Sequence, residues 1–325
     1  RTNNQELPEM KYTASTNRIW LPHARRFGHF MDRNAMRVGH PTSNRLGLFA
    51  ATMPTVTLPV DWTKANTLSF PYDGNDQYGD CMYAAACHGD NTFTGNVGTE
   101  SVFDEATLIK DYLALSGGDN GLDEGMILGE WKKGLASTPA ACIFDSVDVD
   151  PNNANLMQAA IYLFGGVQFQ LSVPMRWISN FATGCVWDAP AIPDPMAGHG
   201  ICFNGVDATG RYKLQTWGTW AWITTAGVAE CDPSAFAVAT LRWFNAQGYA
   251  PNGLHYTQLA PLWVQLGGNP WPTSPFPAPA PTPTPPPPGP TPTPTPDTLN
   301  GTYQLGIYQV NWTATINDPP PVAGS

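Results

Sequence analysis

The stretch Asp-Gln-Tyr-Gly-Asp-Cys-Met-Tyr-Ala-Ala-Ala-Cys-His, residues 76–88, decides the fold of this chain. Its Gly-Asp turn leads into an alanine-rich run that favours a helix, with Cys81 at the first helical position. A thiol there lies close to unpaired backbone N–H groups and the positive end of the helix dipole, and both stabilise the nucleophilic thiolate. The alternative is a buried structural thiol on a core helix.

A second motif, Ala-Gly-His-Gly-Ile-Cys-Phe-Asn-Gly-Val-Asp at residues 197–207, predicts a strand that begins near His199. A turn and a returning strand would complete a hairpin and bring Gln215 and Thr216 close to that histidine. A cysteine and a histidine oriented by a third polar group form an activated nucleophile. The two motifs therefore predict a catalytic pair, Cys81 and His199.

Further motifs carry a family resemblance. They are Leu-Pro-Val-Asp-Trp (58–62), Gly-Asn-Asp-Gln-Tyr-Gly-Asp-Cys (74–81), Ala-Ala-Ile-Tyr-Leu-Phe-Gly-Gly (159–166) and Thr-Trp-Gly-Thr-Trp (216–220). With these landmarks the chain resembles papain-like cysteine peptidases over roughly residues 56–267, and it is most similar to poorly characterised phage and bacterial papain-like proteins. The resemblance implies an α+β, papain-like two-subdomain fold that needs no cofactor or metal.

The resemblance also implies roles for individual residues. Gln215 stands where these enzymes have the asparagine that orients the histidine, so we predict it as the third catalytic residue. The oxyanion-hole glutamine of the family lies six residues before the cysteine. Asn75 has that spacing and Gln77 lies four before, so either amide could donate to an oxyanion. Trp217 is expected to pack the hairpin and shield the histidine.

Composition divides the chain into four parts. Residues 1–55 form a basic extended N-terminal arm with eight Lys/Arg and three Asp/Glu, and residues 56–269 form the papain-like domain. Residues 270–296 contain fifteen prolines and predict a polyproline II linker or stalk. Residues 297–325 alternate like a short β segment, which is too short to bury its own core. Within the domain, residues 233–247 are predicted to include a helix.

Charge and cysteine spacing exclude several classes of function. The net charge is −10, so the body of the protein would repel phosphate and we expect no nucleic acid partner. No apolar run approaches about 18 residues, so we expect no membrane partner. The six cysteines contain no Cys-x-x-Cys pair, and the acidic loop clusters lack EF-hand spacing, so no metal is expected.

Two functions remain open at this point. The first is a cysteine peptidase acting on peptide substrates. The second is a structural protein of a virion or extracellular fibre that reuses a papain-like domain, with the arm and the stalk as assembly elements. The second would be proline-rich, oligomeric and bound to copies of itself or to other structural chains. Either would place the protein outside the cell or on a virion.

Overall fold

The computed structural model of the chain describes residues 56–66, 70–194, 197–231 and 233–279, and the backbone of two further strands at 297–305 and 308–316. The predicted N-terminal arm, 1–55, lies outside the described residues, as does most of the proline-rich segment. The described part is α+β. Its helices are α1 (Cys81–Val97), α2 (Glu105–Ser116), α3 (Glu124–Trp131), α4 (Ala154–Phe164), α5 (Met175–Ser179), α6 (Thr225–Glu230) and α7 (Tyr256–Leu266).

The strands of the main sheet come mostly from the second half of the domain. They are β1 (Val60–Asp61), β2 (Asp145–Asp148), β3 (Val167–Ser172), β4 (Val186–Trp187), β5 (Gly198–Val206), β6 (Tyr212–Thr216), β7 (Thr219–Ile223) and β8 (Ser234–Ala239). Their order is β2-β8-β3-β5-β6-β7-β4, and β1 pairs with the far end of β5. All pairs are antiparallel except β4 with β7. The sequence thus places helices first and most of the sheet afterwards, as the α+β prediction required.

Helix α1 is the central element of the domain. Its first fourteen residues are all buried, so it has no solvent face and the usual amphipathic stripe is absent. Small residues let it lie close to the sheet: a Cβ added at Gly89 would come within 2.7 Å of the amide nitrogen of Gln168 on β3. The start of this helix is therefore fixed against the sheet by close packing.

Residues 234–239 correct one prediction, since they form the inner strand β8 and not the start of a helix. Five of its six residues are buried, so both of its faces are covered. A short apolar run that is covered on both faces shows no period of two, and its pattern does not separate a strand from a buried helix.

The compact unit extends beyond residue 269, where the sequence placed the end of the domain, and ends at Pro279. Trp271 packs on Tyr256 of α7 with ring centroids 4.9 Å apart, and Phe276 packs on the same ring at 5.7 Å. The Tyr256 hydroxyl donates to the carbonyl of Pro272 at 2.9 Å. Aromatic residues between the prolines therefore hold the first ten residues of the proline-rich segment on the domain.

A second unit, residues 280–325, contains an antiparallel hairpin of β9 (Asp297–Leu305) and β10 (Tyr308–Ile316). Its register runs from Asp297 opposite Ile316 to Leu305 opposite Tyr308. The strand patterning seen in the sequence thus corresponds to two paired strands.

Two findings bear on the surroundings of the protein. Within the part of the chain that the structure describes, no helix is long and apolar enough to span a bilayer. All six cysteines, at positions 81, 87, 142, 185, 202 and 231, are free thiols.

Asp145 on β2 anchors the C-terminal part of the domain. Its buried carboxylate accepts from the indole N–H of Trp263 on α7 at 2.8 Å, and from the backbone N–H and side-chain amide of Asn269 at 2.8 and 3.1 Å. One carboxylate thus fixes both the helix and the segment that follows it.

We expect Asp145→Ala to lower the free energy of unfolding by about 3 kcal/mol, because it leaves a buried indole N–H without an acceptor. Urea denaturation monitored by tryptophan fluorescence measures the change. Asp148→Ala, at the other end of the same strand, is the matched control and should stay within about 0.5 kcal/mol of the parent. Equal losses in both variants would contradict the anchoring role.

Candidate functional site

The start of α1 and the start of β5 meet at the candidate site. The backbone N–H of Gly200 donates to the sulfur of Cys81 at 3.2 Å, so the thiol touches the residue next to His199. Cys81 and His199 are only 2% and 3% exposed. The structure therefore places the thiol of Cys81 against the residue that follows His199, in a closed environment, and the catalytic role of the pair stays a prediction.

His199 is held on two sides by the β6–β7 hairpin. Its Nε2 lies 2.6 Å from the hydroxyl of Thr216, and its ring stacks on Trp217 with centroids 4.4 Å apart and planes 21° apart. The Thr216 contact occupies Nε2 and leaves Nδ1 as the ring nitrogen that can exchange a proton with a substrate or a thiol. Trp217 shields the imidazole, as the sequence indicated.

The turn that carries these contacts depends on a glycine. Thr216 pairs with Thr219, so Trp217 and Gly218 form a two-residue hairpin loop with φ of 45° and 71°. Positive φ at both positions is typical of the type I′ turns that close tight hairpins. A Cβ at Gly218 would lie 2.3 Å from the ring of Tyr72, so the position needs glycine for space as well as for its backbone angle.

Gln215 is not the partner of His199, which corrects the prediction of it as third catalytic residue. Its amide nitrogen donates to the hydroxyl of Thr92 on α1 at 3.0 Å and to the side-chain oxygen of Asn204 at 2.7 Å. Successive side chains of a strand point to opposite faces. Gln215 therefore faces α1, and Thr216, one position later, faces the histidine.

The two candidates for the oxyanion hole differ in their surroundings. Asn75 is buried, and its amide nitrogen donates to the carboxylate of Asp80 at 3.2 Å, within the turn that precedes α1. Gln77 is exposed. Neither arrangement tests the role, so both assignments stay predictions. The backbone N–H of Cys81 belongs to the first turn of α1.

Burial sets the protonation of the groups around the cysteine. It lowers the pKa of His199 to about 3, with the charge of His88 as a smaller cause. Burial also raises the pKa of Asp80 well above its usual range, although the Asn75 amide acts in the opposite direction. The site therefore favours a neutral imidazole and a neutral acid next to the helix start.

A second histidine, His88, lies about two helix turns further along α1 than Cys81. His88 Nε2 is 3.0 Å from the carbonyl of Pro71 and 3.3 Å from the carboxyl of Asp73. A carbonyl only accepts, so Nε2 carries the proton. Burial lowers the pKa of His88 and raises that of Asp73, and both shifts favour the neutral form of this contact. It ties the 71–73 segment, which includes Tyr72, to α1.

No metal site accompanies this arrangement in the described part of the chain, which contains no group of three or more His, Cys, Asp or Glu side chains able to hold an ion.

The known proteins to which this chain is similar are found among solved structures. No protein-family model matches the chain, and no curated protein matches it. Among solved structures, xylellain, a cysteine protease from Xylella fastidiosa, is similar over 73% of this chain and 99% of its own, with 13% identity and a TM-score of 0.46. Digestive procathepsin L 3 of Tenebrio molitor is similar over 66% and 77%, with 12% identity and a TM-score of 0.45.

A structure from work on the mite allergens Blo t 1 and Der p 1 is similar over 66% of this chain and 80% of its own, with 13% identity and a TM-score of 0.49. In the described part of this chain, Cys81 opens the central helix and His199 lies on the antiparallel sheet, as the resemblance seen in the sequence implied. The fold is papain-like.

The sequence did not indicate that the backbone N–H of Gly200 contacts the thiol of Cys81. It predicted Gln215 as the partner of the His199 imidazole, whereas the partner in the structure is Thr216, one residue later. The alternation of side chains along β6 could have identified Thr216. No sequence pattern indicates the Gly200 contact, because that contact depends on how closely a helix and a strand approach each other.

We expect the buried imidazole to make stability depend on pH. Between pH 6.5 and about 3 the unfolded chain protonates His199 and the folded protein does not, so stability falls as pH falls. One such group contributes a slope of about 1.4 kcal/mol per pH unit. Urea unfolding at pH 7, 5 and 4 should show a shallower decline for His199→Gln than for the parent. Identical slopes would contradict the shift.

Proposed function

We propose that the chain is a cysteine peptidase in which Cys81 is the nucleophile and His199 is the general base and acid. The observation that supports this best is the contact of Cys81 with Gly200 beside a histidine held by Thr216. A nucleophile, a base and a group that orients the base are the three parts of an activated-nucleophile site.

The proposed reaction follows from these positions. Nδ1 of His199 takes the proton of the thiol as the sulfur attacks the carbonyl carbon of a peptide bond. The backbone N–H of Cys81 donates to the developing oxyanion. The imidazole then protonates the leaving amine, the C–N bond breaks and a thioester remains. Water, deprotonated by the same nitrogen, hydrolyses the thioester and restores the thiol.

Thr216 takes the place of a carboxamide in this scheme. Its hydroxyl oxygen accepts the Nε2 proton and so keeps Nδ1 unprotonated and directed away from the hairpin. A hydroxyl can donate as well as accept, and the proposed reaction assigns the proton to Nε2 because it needs Nδ1 as the base.

Access is the remaining requirement. At 2% and 3% exposure, neither the thiol nor the imidazole can meet a peptide in this conformation. Tyr72 lies against the hairpin turn at Gly218, and the side chain of Met82 fills the space beside Gly200. Turnover by the proposed peptidase therefore requires the side chains around the pair to move.

We expect Cys81→Ser to abolish cleavage of a mixed peptide library, detected by mass spectrometry, without changing the melting temperature by more than a few degrees. In the parent, a peptidyl electrophile should label Cys81 faster than Cys87, a fully buried thiol on the same helix. Thr216→Ala should reduce kcat by about tenfold or more, and Thr216→Ser should restore most of it. Equal labelling of the two thiols and no cleavage would overturn the proposal.

A structural role is the second candidate, and two observations favour it. The pair is buried, and the chain carries a separate unit with a two-stranded hairpin, β9–β10. An isolated two-stranded hairpin is at best marginally stable in water, so it gains stability by adding to another sheet. Copies of this chain or other structural proteins of a virion or extracellular fibre would supply that sheet.

We expect a chain that ends at Pro279 to keep the melting temperature of the papain-like domain, because the compact unit ends there. If the structural role is right, the full chain should form oligomers in analytical ultracentrifugation and the truncated chain should not. Monomers in both cases, together with cleavage by the full chain, would favour the peptidase alone.

A further inference from the structure

The packing of the domain does not explain why the side chain of Gln170 is a buried amide. It lies on the inner strand β3, is 2% exposed, and neither its amide nitrogen nor its amide oxygen has a hydrogen-bond partner. Gln168 lies two residues earlier on the same face of β3. Its amide nitrogen has a partner, because it donates to the sulfur of Cys202 at 3.2 Å. Of these two glutamines on one face of β3, Gln170 is therefore the one whose amide has no partner.

The sheet register places Gln170 next to the candidate site. It is opposite Gly200 on β5 and opposite Ser234 on β8, and residues directly opposite each other lie on the same face of a sheet. The hydroxyl of Ser234 is also buried without a partner. Gly200 is the residue whose N–H binds the sulfur of Cys81. The two unpartnered atoms of Gln170 thus lie one strand away from Gly200, and the hydroxyl of Ser234 lies two strands away.

Such atoms are costly. A buried donor or acceptor without a partner costs about 1–3 kcal/mol, and native proteins contain few of them. A leucine in place of Gln170 would remove two of these costs at similar volume. A glutamine at this position is better explained by a ligand that supplies the missing partners than by the stability of the fold.

The space beside Gly200, the residue opposite Gln170, is filled by an adaptable side chain. A Cβ at Gly200 would lie 2.4 Å from the sulfur of Met82, so Met82 occupies the room that a side chain at Gly200 would take. Methionine is unbranched and moves between rotamers easily. Displacing it would open the surface of Gly200, with the amide of Gln170 and the hydroxyl of Ser234 on its wall.

We infer that Gln170, together with Ser234, determines the specificity of this site and selects a peptide side chain that carries a carboxamide. This inference rests on the proposed peptidase site. A carboxamide offers one acceptor and two donors, which match the free amide nitrogen and oxygen of Gln170. A carboxylate offers only acceptors and an ammonium group only donors, so each would leave one of these atoms unpaired. An apolar side chain would leave all three unpaired.

The test measures binding separately from turnover. Full-length Cys81→Ala protein is titrated with fluorescent hexapeptides in which Gln, Leu or Glu is scanned through every position, and anisotropy gives Kd. We expect Gln at one position to bind at least about tenfold more tightly than Leu, since polar sites discriminate strongly against partners that leave them unpaired. Adding Gln170→Leu should abolish this ratio.

Gln168→Leu is the matched control, because it changes an amide on the same strand face whose partner is Cys202. It should leave the ratio unchanged. Gln170→Glu, which is close in shape, serves if the leucine variant does not fold, and it should also lower the preference for Gln. No preference at any position, or a preference that survives both Gln170 variants, would overturn the inference.

The outcome also separates the two proposals. A preference that depends on Gln170, in a protein that cleaves no peptide, supports the inference and removes the peptidase. Cleavage by the parent enzyme without dependence on Gln170 keeps the peptidase and removes the inference. A leucine variant that melts at a higher temperature with an unchanged ratio would show that Gln170 is only an unsatisfied core residue.

Discussion

The contact between the first turn of α1 and the start of β5 is the constraint on which the rest of the structure depends. It joins residues 119 positions apart through one short hydrogen bond, from Gly200 N–H to the Cys81 sulfur. The bond forms only because a glycine faces the helix there and because small residues bring the helix close to the sheet. The positions of the thiol, the imidazole and the hairpin that holds it all follow from this approach of helix and sheet.

The interface between α1 and the sheet contains many buried polar side chains. Some of them have hydrogen-bond partners and others have none. Some of its polar groups are paired: Gln215 donates to Thr92, and Asp90 accepts two bonds of 2.6 and 2.8 Å from Arg242. Near the cysteine Gln170 lacks a partner. Buried polar groups that stabilise a fold are normally satisfied, and functional sites are where that rule is relaxed. In the proposed peptidase, the unpartnered amide of Gln170 would lie at the end of the helix that meets a substrate.

Most of the fold was predictable from the sequence, and the failures have physical causes. A glycine turn before an alanine run predicts a helix start at Cys81, and turn residues predict the hairpin after His199. The partner of the histidine was not predictable with the same accuracy, because a shift of one residue moves a side chain to the other face of a strand. Strand β8 was assigned to a helix because burial on both faces removes the alternation that identifies strands. The domain end was placed too early because proline content hid the packing of Trp271.

The burial of Cys81 and His199 affects both their access to a substrate and the pKa of the imidazole. In the closed state the pKa of His199 is about 3, so the imidazole is a weak base toward the thiol but an effective acid toward a leaving amine. Loss of water is the main cause of that shift, and renewed contact with water or with a polar substrate would raise the pKa toward its ordinary value. The movement that admits a peptide therefore also makes His199 a better base. For the proposed peptidase, opening of the site and activation of the thiol are one event, and the closed protein is protected from unwanted reaction of its own nucleophile.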